Sequence, residues 1–229
     1  MKCVSSMFLG SLLAISVPAV AAKDVIACVG DSITFGSTAS DHETTSYPPN
    51  LSRMLAGTMD VMNFGVSGAT MMKGGDLPYW EQQEYKNALA SNPSVVVIQL
   101  GTNDAKNYQW DENAYVEDYQ AMIDSFASLA VPPDIFISIP PPLYEDNVYE
   151  MMQPIINVEL PSILHDLAEK NMIKRKVKGI VDVFNQLGGA ELDNYEFFCD
   201  LQSCDACHPS DAGYTVLATA VYKAIFMDK

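Results

Sequence analysis

Residues 25–34 are Val-Ile-Ala-Cys-Val-Gly-Asp-Ser-Ile-Thr, an apolar run that ends in a glycine and is followed at once by small polar residues. An apolar run without alternation between polar and apolar side chains is typical of a parallel strand that is covered on both faces. The polar residues after it would lie at the carboxyl edge of the sheet, where open α/β folds bind their ligands. This stretch therefore predicts both an α/β fold and the place of its functional site.

Four more runs of this kind follow, separated by segments with helical periodicity. The predicted strands cover residues 25–30, 60–64, 94–100, 134–139 and 179–183. The predicted helices cover residues 47–57, 80–91, 113–130, 154–172 and 211–227. Regular alternation of strand and helix predicts a parallel sheet between two layers of helices, joined by right-handed crossovers. A length of 229 residues fits one such domain.

The first 22 residues differ in character from the rest of the chain. Lys2 is followed by an apolar run over 4–17 and then by Ala19-Val20-Ala21, small residues typical of a signal-peptide cleavage site. The run is short for a membrane span, although an uncleaved anchor is the alternative. We therefore predict a signal peptide over residues 1–22 and a domain over residues 23–229. The protein would be secreted, periplasmic or extracellular, without stable membrane association.

The charge balance is strongly acidic. Thirteen lysines and arginines face 29 aspartates and glutamates, which gives a formal net charge of −16. Such a surface repels nucleic acid and anionic bilayers and favours neutral or cationic ligands. The apolar content of 48% and charged content of 18% are those of a globular protein, which excludes a disordered chain.

The cysteines suggest one local disulfide. Cys3 falls within the predicted signal peptide, and the four that remain are Cys28, Cys199, Cys204 and Cys207. Cys28 lies in the first predicted strand, where a buried thiol is expected. The other three lie within nine residues, where an oxidising compartment would favour one disulfide, although the spacing does not decide the pair. Asn50-Leu51-Ser52 is a glycosylation sequon, relevant only in a eukaryotic source.

Gly30-Asp31-Ser32 follows the first predicted strand. Ser32, on a tight turn from strand to helix, can present its hydroxyl close to the backbone N–H groups of the helix start. These are the requirements of a nucleophile. The alternative role for a serine at this position is to cap the helix.

Two further polar loops follow the second and third predicted strands. Residues 63–70 contain two glycines, which let the backbone approach a ligand closely so that one freed N–H could serve an oxyanion, and Ser67, a rival nucleophile. Residues 101–104 contain Asn103, whose amide could donate to the same oxyanion. The alternatives are turn chemistry for these residues and a cap of the next helix for Asp104.

A carboxylate and an imidazole precede the last predicted helix, in Asp205-Ala206-Cys207-His208-Pro209. Three residues are close to one turn, so both side chains can point the same way. Asp205 could then accept from His208 Nδ1–H and leave Nε2 free to take a proton from a hydroxyl. The stretch also contains Cys204-x-x-Cys207-His208, the attachment signature of c-type haem. A zinc site is a weaker alternative, because a second ligand pair at zinc-finger spacing is missing.

The four polar segments described above, taken in their order along the chain and called blocks below, resemble those of the SGNH (GDSL-type) hydrolases. The resemblance is carried by Gly-Asp-Ser at 30–32, Gly68, Gly-x-Asn-Asp at 101–104 and Asp-x-x-His-Pro at 205–209. It implies a flavodoxin-like three-layer α/β/α fold and ester hydrolysis without metal or cofactor. The implied roles are Ser32 as nucleophile, His208 as base, Asp205 as its orienting acid, and Ser32, Gly68 and Asn103 as oxyanion donors. Ala206 departs from the pattern, since many relatives have glycine there.

Further details are similar to the carbohydrate acetylesterase and sialate O-acetylesterase-like branch of this family. They are Tyr47-Pro48-Pro49, residues 100–107 with Trp110, and Pro140-Pro141-Pro142. Five aromatic residues in the loops are expected at the rim, where they could stack on sugar rings or simply pack the loops: Tyr79, Trp80, Tyr108, Trp110 and Tyr144. We predict a serine esterase for short acetyl esters of carbohydrates, with a small-molecule or glycan ester as its partner.

Two other functions remain open from the sequence. A lysophospholipase or thioesterase would act on lipid acyl esters, although the chain contains no long apolar lid segment. A catalytically silent carbohydrate-binding protein could use the same fold, because fold does not fix function. The intact Ser32, Asp205 and His208 argue against the silent protein.

Overall fold

A computed structural model describes residues 24–198 and 205–227. Its centre is one sheet of five parallel strands in the order β2-β1-β3-β4-β5. The strands are β1 (Val25–Gly30), β2 (Asp60–Gly65), β3 (Val95–Gln99), β4 (Asp134–Ile139) and β5 (Gly179–Asp182). This is the flavodoxin-like order, and each strand bound lies within one residue of its prediction. The predicted fold class is confirmed.

Seven helices surround the sheet within the described part of the chain. They are α1 (Ser32–Phe35), α2 (Tyr47–Met54), α3 (Gln83–Ala90), α4 (Glu112–Ala127), α5 (Leu160–Ile173), α6 (Val183–Gln186) and α7 (Asp211–Phe226). The one-turn helix α6 was not predicted, because four residues show no periodicity, whereas α1 begins at the strand-to-helix turn that was expected at Ser32. The predicted helix over 154–172 is divided, since a π-helical segment, Ile155–Glu159, precedes α5.

The side chains of the strands alternate between two hydrophobic cores. From β1, Ala27 and Val29 join the core that α3, α4 and α5 cover, whereas Ile26 and Cys28 join the core that α2 and α7 cover. Both faces of the sheet are therefore buried along β1, β3 and β4, which explains why these strands are largely apolar. The edge strand β2 is mostly exposed. The arrangement is a three-layer α/β/α sandwich.

The cysteines differ in part from the prediction. Cys28 is fully buried, as expected, and both Cys28 and Cys207 are free thiols. Cys207 therefore takes no part in the expected local disulfide, for which the spacing left the pair open, and its side chain packs into the core on the α4 side of the sheet. Cys199 and Cys204 lie outside the described residues, so a pairing between them remains a prediction.

The predicted signal peptide over residues 1–22 also lies outside the described residues. Within residues 24–198 and 205–227, none of the helices is both long enough and apolar enough to cross a bilayer.

Candidate active site

Ser32 lies at the junction between β1 and α1. Asp31, not Ser32, caps the helix, because the N–H of Ile33 donates to Asp31 Oδ1 at 2.9 Å. Gly30 permits the tight turn, since a Cβ at this position would lie 2.1 Å from Thr34 Oγ1 and 2.6 Å from the carbonyl oxygen of Gln99. The capping role considered for Ser32 is thus filled by its neighbour, and the Ser32 hydroxyl is left for another partner.

That partner is His208. Its Nε2 lies 2.8 Å from Ser32 Oγ, and its Nδ1 lies 2.6 Å from Asp205 Oδ2. The other carboxylate oxygen of Asp205 accepts the N–H of Cys207 at 3.0 Å and the N–H of His208 at 2.9 Å. The aspartate therefore shapes its own turn as well as orienting the imidazole. The structure brings these three predicted residues into one hydrogen-bonded chain.

The turn between Asp205 and His208 includes a strained residue. Ala206 has a φ of 55°, in the left-handed region that glycine adopts without penalty. This conformation explains why glycine suits the position. The alanine keeps the same backbone path, because the hydrogen bonds of Asp205 on both sides of it hold the turn.

The electrostatics of the Asp205–His208 pair, called the dyad below, favour an ionised aspartate. Burial alone would raise the pKa of Asp205, but the hydrogen bond and the charge of His208, with the two backbone N–H groups, lower it to about 2. A carboxylate is therefore available at neutral pH to hold Nδ1–H and to stabilise a positive imidazole.

The hydroxyl of Ser32 opens into a cleft of about 290 Å³. Its lining residues are Ser32, Ser37, Ser67, Gly68, Asn103, Lys106, Tyr149, Met151 and His208. Gly68 has a φ of 85°, which favours glycine, and the side chain of Asn103 is buried beside it. Asn103 Nδ2 donates to the carbonyl of Ala69 at 3.1 Å and has a second hydrogen to offer. The four sequence blocks meet at this cleft.

Two residues have roles that differ from the expectations. Asp104 does not cap a helix, because its carboxylate accepts the N–H groups of Met71 at 2.9 Å and Met72 at 2.7 Å. It joins the loop after β3 to the loop after β2, and burial raises its pKa to about 7. Ser67, the rival nucleophile, is exposed, and its hydroxyl lies 3.3 Å from Ser37 Oγ rather than near an imidazole.

Two of the five predicted rim aromatics are buried in the protein. Tyr79 donates its hydroxyl to the carbonyl of Phe64 at 2.7 Å, and Tyr144 donates to the carbonyls of Leu187 and Asp193. The prediction of a rim position for these two is wrong, because each hydroxyl finds a backbone acceptor that allows the ring to be buried.

The other three predicted aromatics are not among the residues that line the cleft. Trp80 donates to the carbonyl of Met71 at 2.8 Å, and Trp110 donates to Glu159 Oε2 at 3.0 Å. Tyr108 is 59% exposed, and its hydroxyl donates to Asp76 Oδ2 at 2.6 Å. For Trp80 and Trp110, the packing alternative is the one that the contacts support.

The aromatic residue that does line the cleft, Tyr149, was missed by the sequence reasoning. It lies in a 3₁₀ turn, Val148–Glu150, between β4 and α5. Its hydroxyl donates to Asp205 Oδ2 at 3.1 Å, and its ring meets that of His208 at a centroid distance of 6.1 Å. Nothing in the local sequence separates it from Tyr144, five residues earlier in the same irregular segment.

The haem alternative is disfavoured by the geometry of His208. Both ring nitrogens are hydrogen-bonded within the protein, one to Ser32 and one to Asp205, so an axial iron bond would have to replace the Ser32 contact or the Asp205 contact. Cys204, the first residue of the attachment signature, lies outside the described residues.

Comparison with known proteins places these features in one family. The model of the GDSL-like lipase/acylhydrolase family matches residues 28–216. An acetylxylan esterase of Xylanibacter ruminicola is 30% identical over 218 residues, which cover 87% of this chain and 42% of that protein. The chain thus spans less than half the length of this relative.

Solved structures agree on the fold. An aryl esterase of M. smegmatis superposes with a TM-score of 0.68 at 17% identity, covering 88% of this chain and 98% of that one. A catalytic mutant of an acetylxylan esterase from Geobacillus stearothermophilus superposes with a TM-score of 0.67 at 18% identity, covering 91% and 97%. From the match over residues 28–216, together with the blocks that meet at the cleft, the chain belongs to the GDSL-like lipase/acylhydrolase family.

Proposed function

We propose that the protein is a serine esterase that removes acetyl groups from carbohydrates through an acyl-enzyme. The observation that carries the proposal is the chain of hydrogen bonds from Ser32 Oγ through His208 to Asp205, at 2.8 and 2.6 Å. This is the arrangement that converts a hydroxyl into a nucleophile. Carbohydrate acetyl esters are the substrate class suggested by the acetylxylan esterase to which the chain is similar.

In the first half of the reaction, Ser32 Oγ attacks the carbonyl carbon of the ester. His208 Nε2 takes the hydroxyl proton as the new bond forms, and Asp205 stabilises the positive imidazole. When the tetrahedral intermediate collapses, His208 returns the proton to the leaving sugar oxygen. The acetyl group is then bound to Ser32 as an ester.

The developing oxyanion needs donors that are in place beforehand. The N–H groups of Ser32 and Gly68 and the Asn103 amide are the donors that we assign, because all three residues line the cleft next to the hydroxyl. Asp104 supports them, since its two hydrogen bonds hold the Gly68 loop against the Asn103 loop. Loss of one such donor in comparable sites raises the barrier by about 3–4 kcal/mol.

In the second half, water replaces the sugar. His208 removes a proton from the water as it attacks the acetyl carbonyl, and then protonates Ser32 Oγ as acetate leaves. Acetyl esters are favoured over the lipid esters of the alternative function by the similarity to an acetylxylan esterase.

The proposal predicts that Ser32→Ala lowers kcat/KM for 4-nitrophenyl acetate by about 10³-fold or more, because the covalent step is lost. Ser67→Ala is the matched control and should stay within about threefold of wild type, since its hydroxyl has no base. The same assay with butyryl and octanoyl esters should show a steep fall with chain length, and acetylated xylan should release acetate. Equal rates for wild type and Ser32→Ala, or faster turnover of octanoyl esters, would contradict the proposal.

We also propose that residues 1–22 direct export and are removed, leaving a domain from residue 23. The support is the sequence pattern of a positive start, an apolar run and small residues before Ala22. N-terminal sequencing of protein recovered outside the cytoplasm tests this, and retention of Met1 would contradict it.

A further inference from the structure

Tyr149 contacts both Asp205 and His208, the two residues of the dyad that is hydrogen-bonded to Ser32. Its hydroxyl donates to Asp205 Oδ2 at 3.1 Å, and the same oxygen lies 2.6 Å from His208 Nδ1. Its ring meets the imidazole edge-on, with an interplanar angle of 66°. Two donors, one from a tyrosine and one from a histidine, therefore share one carboxylate oxygen.

The backbone that carries Tyr149 is unusual. Asn147, Tyr149 and Glu150 have φ values of 63°, 51° and 65°, all in the left-handed region. Asparagine adopts this region readily, but a tyrosine and a glutamate do so rarely. Such conformations persist only where the surroundings hold them, and they concentrate at functional sites.

The surroundings hold this segment firmly. The N–H of Met152 donates to the carbonyl of Ala105 at 2.7 Å, which ties the segment to the loop after β3. Within the segment, the N–H of Asn147 donates to the carbonyl of Met151 at 2.9 Å. The tyrosine is thus placed by a fixed loop although its side chain is 55% exposed at the cleft.

We propose that Tyr149 is a positioning residue for His208, acting through the oxygen of Asp205 that they share. The inference rests on the proposed roles of Ser32 and His208. The hydroxyl holds the carboxylate in place and draws part of its negative charge away from Nδ1. Without it, the full charge of Oδ2 faces the imidazole and favours the protonated ring, which is no base.

Other titratable groups face the dyad and must stay constant in a test. Asp31 acts on His208 from the start of α1, and Tyr214 of α7 and Cys207 act on Asp205. Lys106 lines the cleft as well, but its ammonium is paired with Asp76 at 2.7 Å. All four remain when Tyr149 is replaced by phenylalanine, which removes one oxygen and keeps the ring.

The test is the pH profile of kcat/KM for 4-nitrophenyl acetate in Tyr149→Phe. We expect the plateau to fall about fivefold and the acid limb to move up by about half a pH unit, with KM nearly unchanged. Tyr222→Phe, which removes a tyrosine hydroxyl from α7, is the control and should match wild type. The downfield proton resonance of His208 Nδ1–H should also shift, and the chain has only three histidines to assign.

A lower plateau alone would also arise from a loosened loop. An acid limb and a downfield resonance identical to those of wild type would therefore overturn the inference, whatever the plateau. This outcome is distinct from failure of the proposed function, which undiminished activity of Ser32→Ala would show.

Discussion

Asp31 has two properties that act against each other. Its carboxylate caps α1 through the N–H of Ile33, and its complete burial raises its pKa from 3.8 to about 6. The unfolded chain therefore loses this proton at lower pH than the folded protein does. The contribution of Asp31 to the free energy of unfolding therefore falls as pH rises from about 4 to about 6 and stays constant above that range.

Asp31→Asn should remove this dependence, because an amide keeps the capping oxygen and does not ionise. The stability of the variant relative to wild type should be greater at pH 8 than at pH 4 by about 3 kcal/mol. Loss of the Asp31 charge also eases ionisation of Asp104, whose pKa it raises, so both contributions have the same sign. Urea unfolding at the two pH values measures the difference. An absent difference would show that burial does not raise the pKa of Asp31, and a reversed one that the folded protein lowers this pKa.

At the residue scale, the sequence identified the reacting groups but not their supports. Ser32, Asp205 and His208 carry a local pattern, and the structure brings them together. Tyr149 carries no pattern, because its contact with Asp205 joins residues 56 apart through a loop of left-handed backbone. Long-range contacts also explain why Tyr79 and Tyr144 were wrongly expected at the surface. The carbonyls that accept their hydroxyls, and so allow the rings to be buried, are distant in sequence.

At the scale of elements, the strands were the most predictable part. Burial on both faces leaves a continuous apolar sequence, as in β3, where all five residues are buried and the first four are apolar. A helix start was expected at Ser32, but periodicity does not reveal the extent of the one-turn helix α1, because that extent depends on the Asp31 cap and on the left-handed Gly36 at its end. The junction of β1 and α1, which aims Ser32, is thus set by particular contacts rather than by periodicity.

Gly30→Ala tests this junction. The added Cβ would meet Thr34 Oγ1 at 2.1 Å and the carbonyl oxygen of Gln99 at 2.6 Å, so α1 or β3 must move. We expect a loss of about 2–3 kcal/mol in the free energy of unfolding. We also expect kcat/KM to fall, because Ser32 moves with α1.

Gly74→Ala is the matched control for Gly30→Ala. A Cβ at Gly74 has nothing within 4 Å, and no positive φ restricts the residue, so both quantities should stay close to wild type. The measurements are urea unfolding and steady-state kinetics on 4-nitrophenyl acetate. Wild-type kinetics in Gly30→Ala would mean that the junction does not determine the position of the hydroxyl.

At the scale of the whole molecule, the sheet order explains how residues from four distant parts of the sequence form one site. Parallel strands carry their carboxyl ends to one edge, so β1 delivers Ser32, β2 delivers Gly68 and β3 delivers Asn103. His208 comes from the loop before α7, and this helix packs against the sheet face that carries Ile26 and Cys28. The site therefore depends on the fold as a unit, and only its chemistry can be inferred from local sequence.

The net charge of the whole molecule affects how charged substrates reach the cleft. A formal net charge of −16 creates a negative potential around the molecule, and the one ammonium that lines the described cleft, that of Lys106, is already paired with Asp76. A neutral ester approaches without hindrance, but an anionic ester is repelled until salt screens the potential over a Debye length of about 10 Å at 0.1 M. Hence kcat/KM for 4-acetoxybenzoate should rise severalfold between 10 and 300 mM sodium chloride, while that for 4-nitrophenyl acetate should stay nearly constant. A parallel response of the two esters would point to an effect of salt on the enzyme itself, and a fall for the anionic ester would mean that Lys106 outweighs the surface charge at the point of entry.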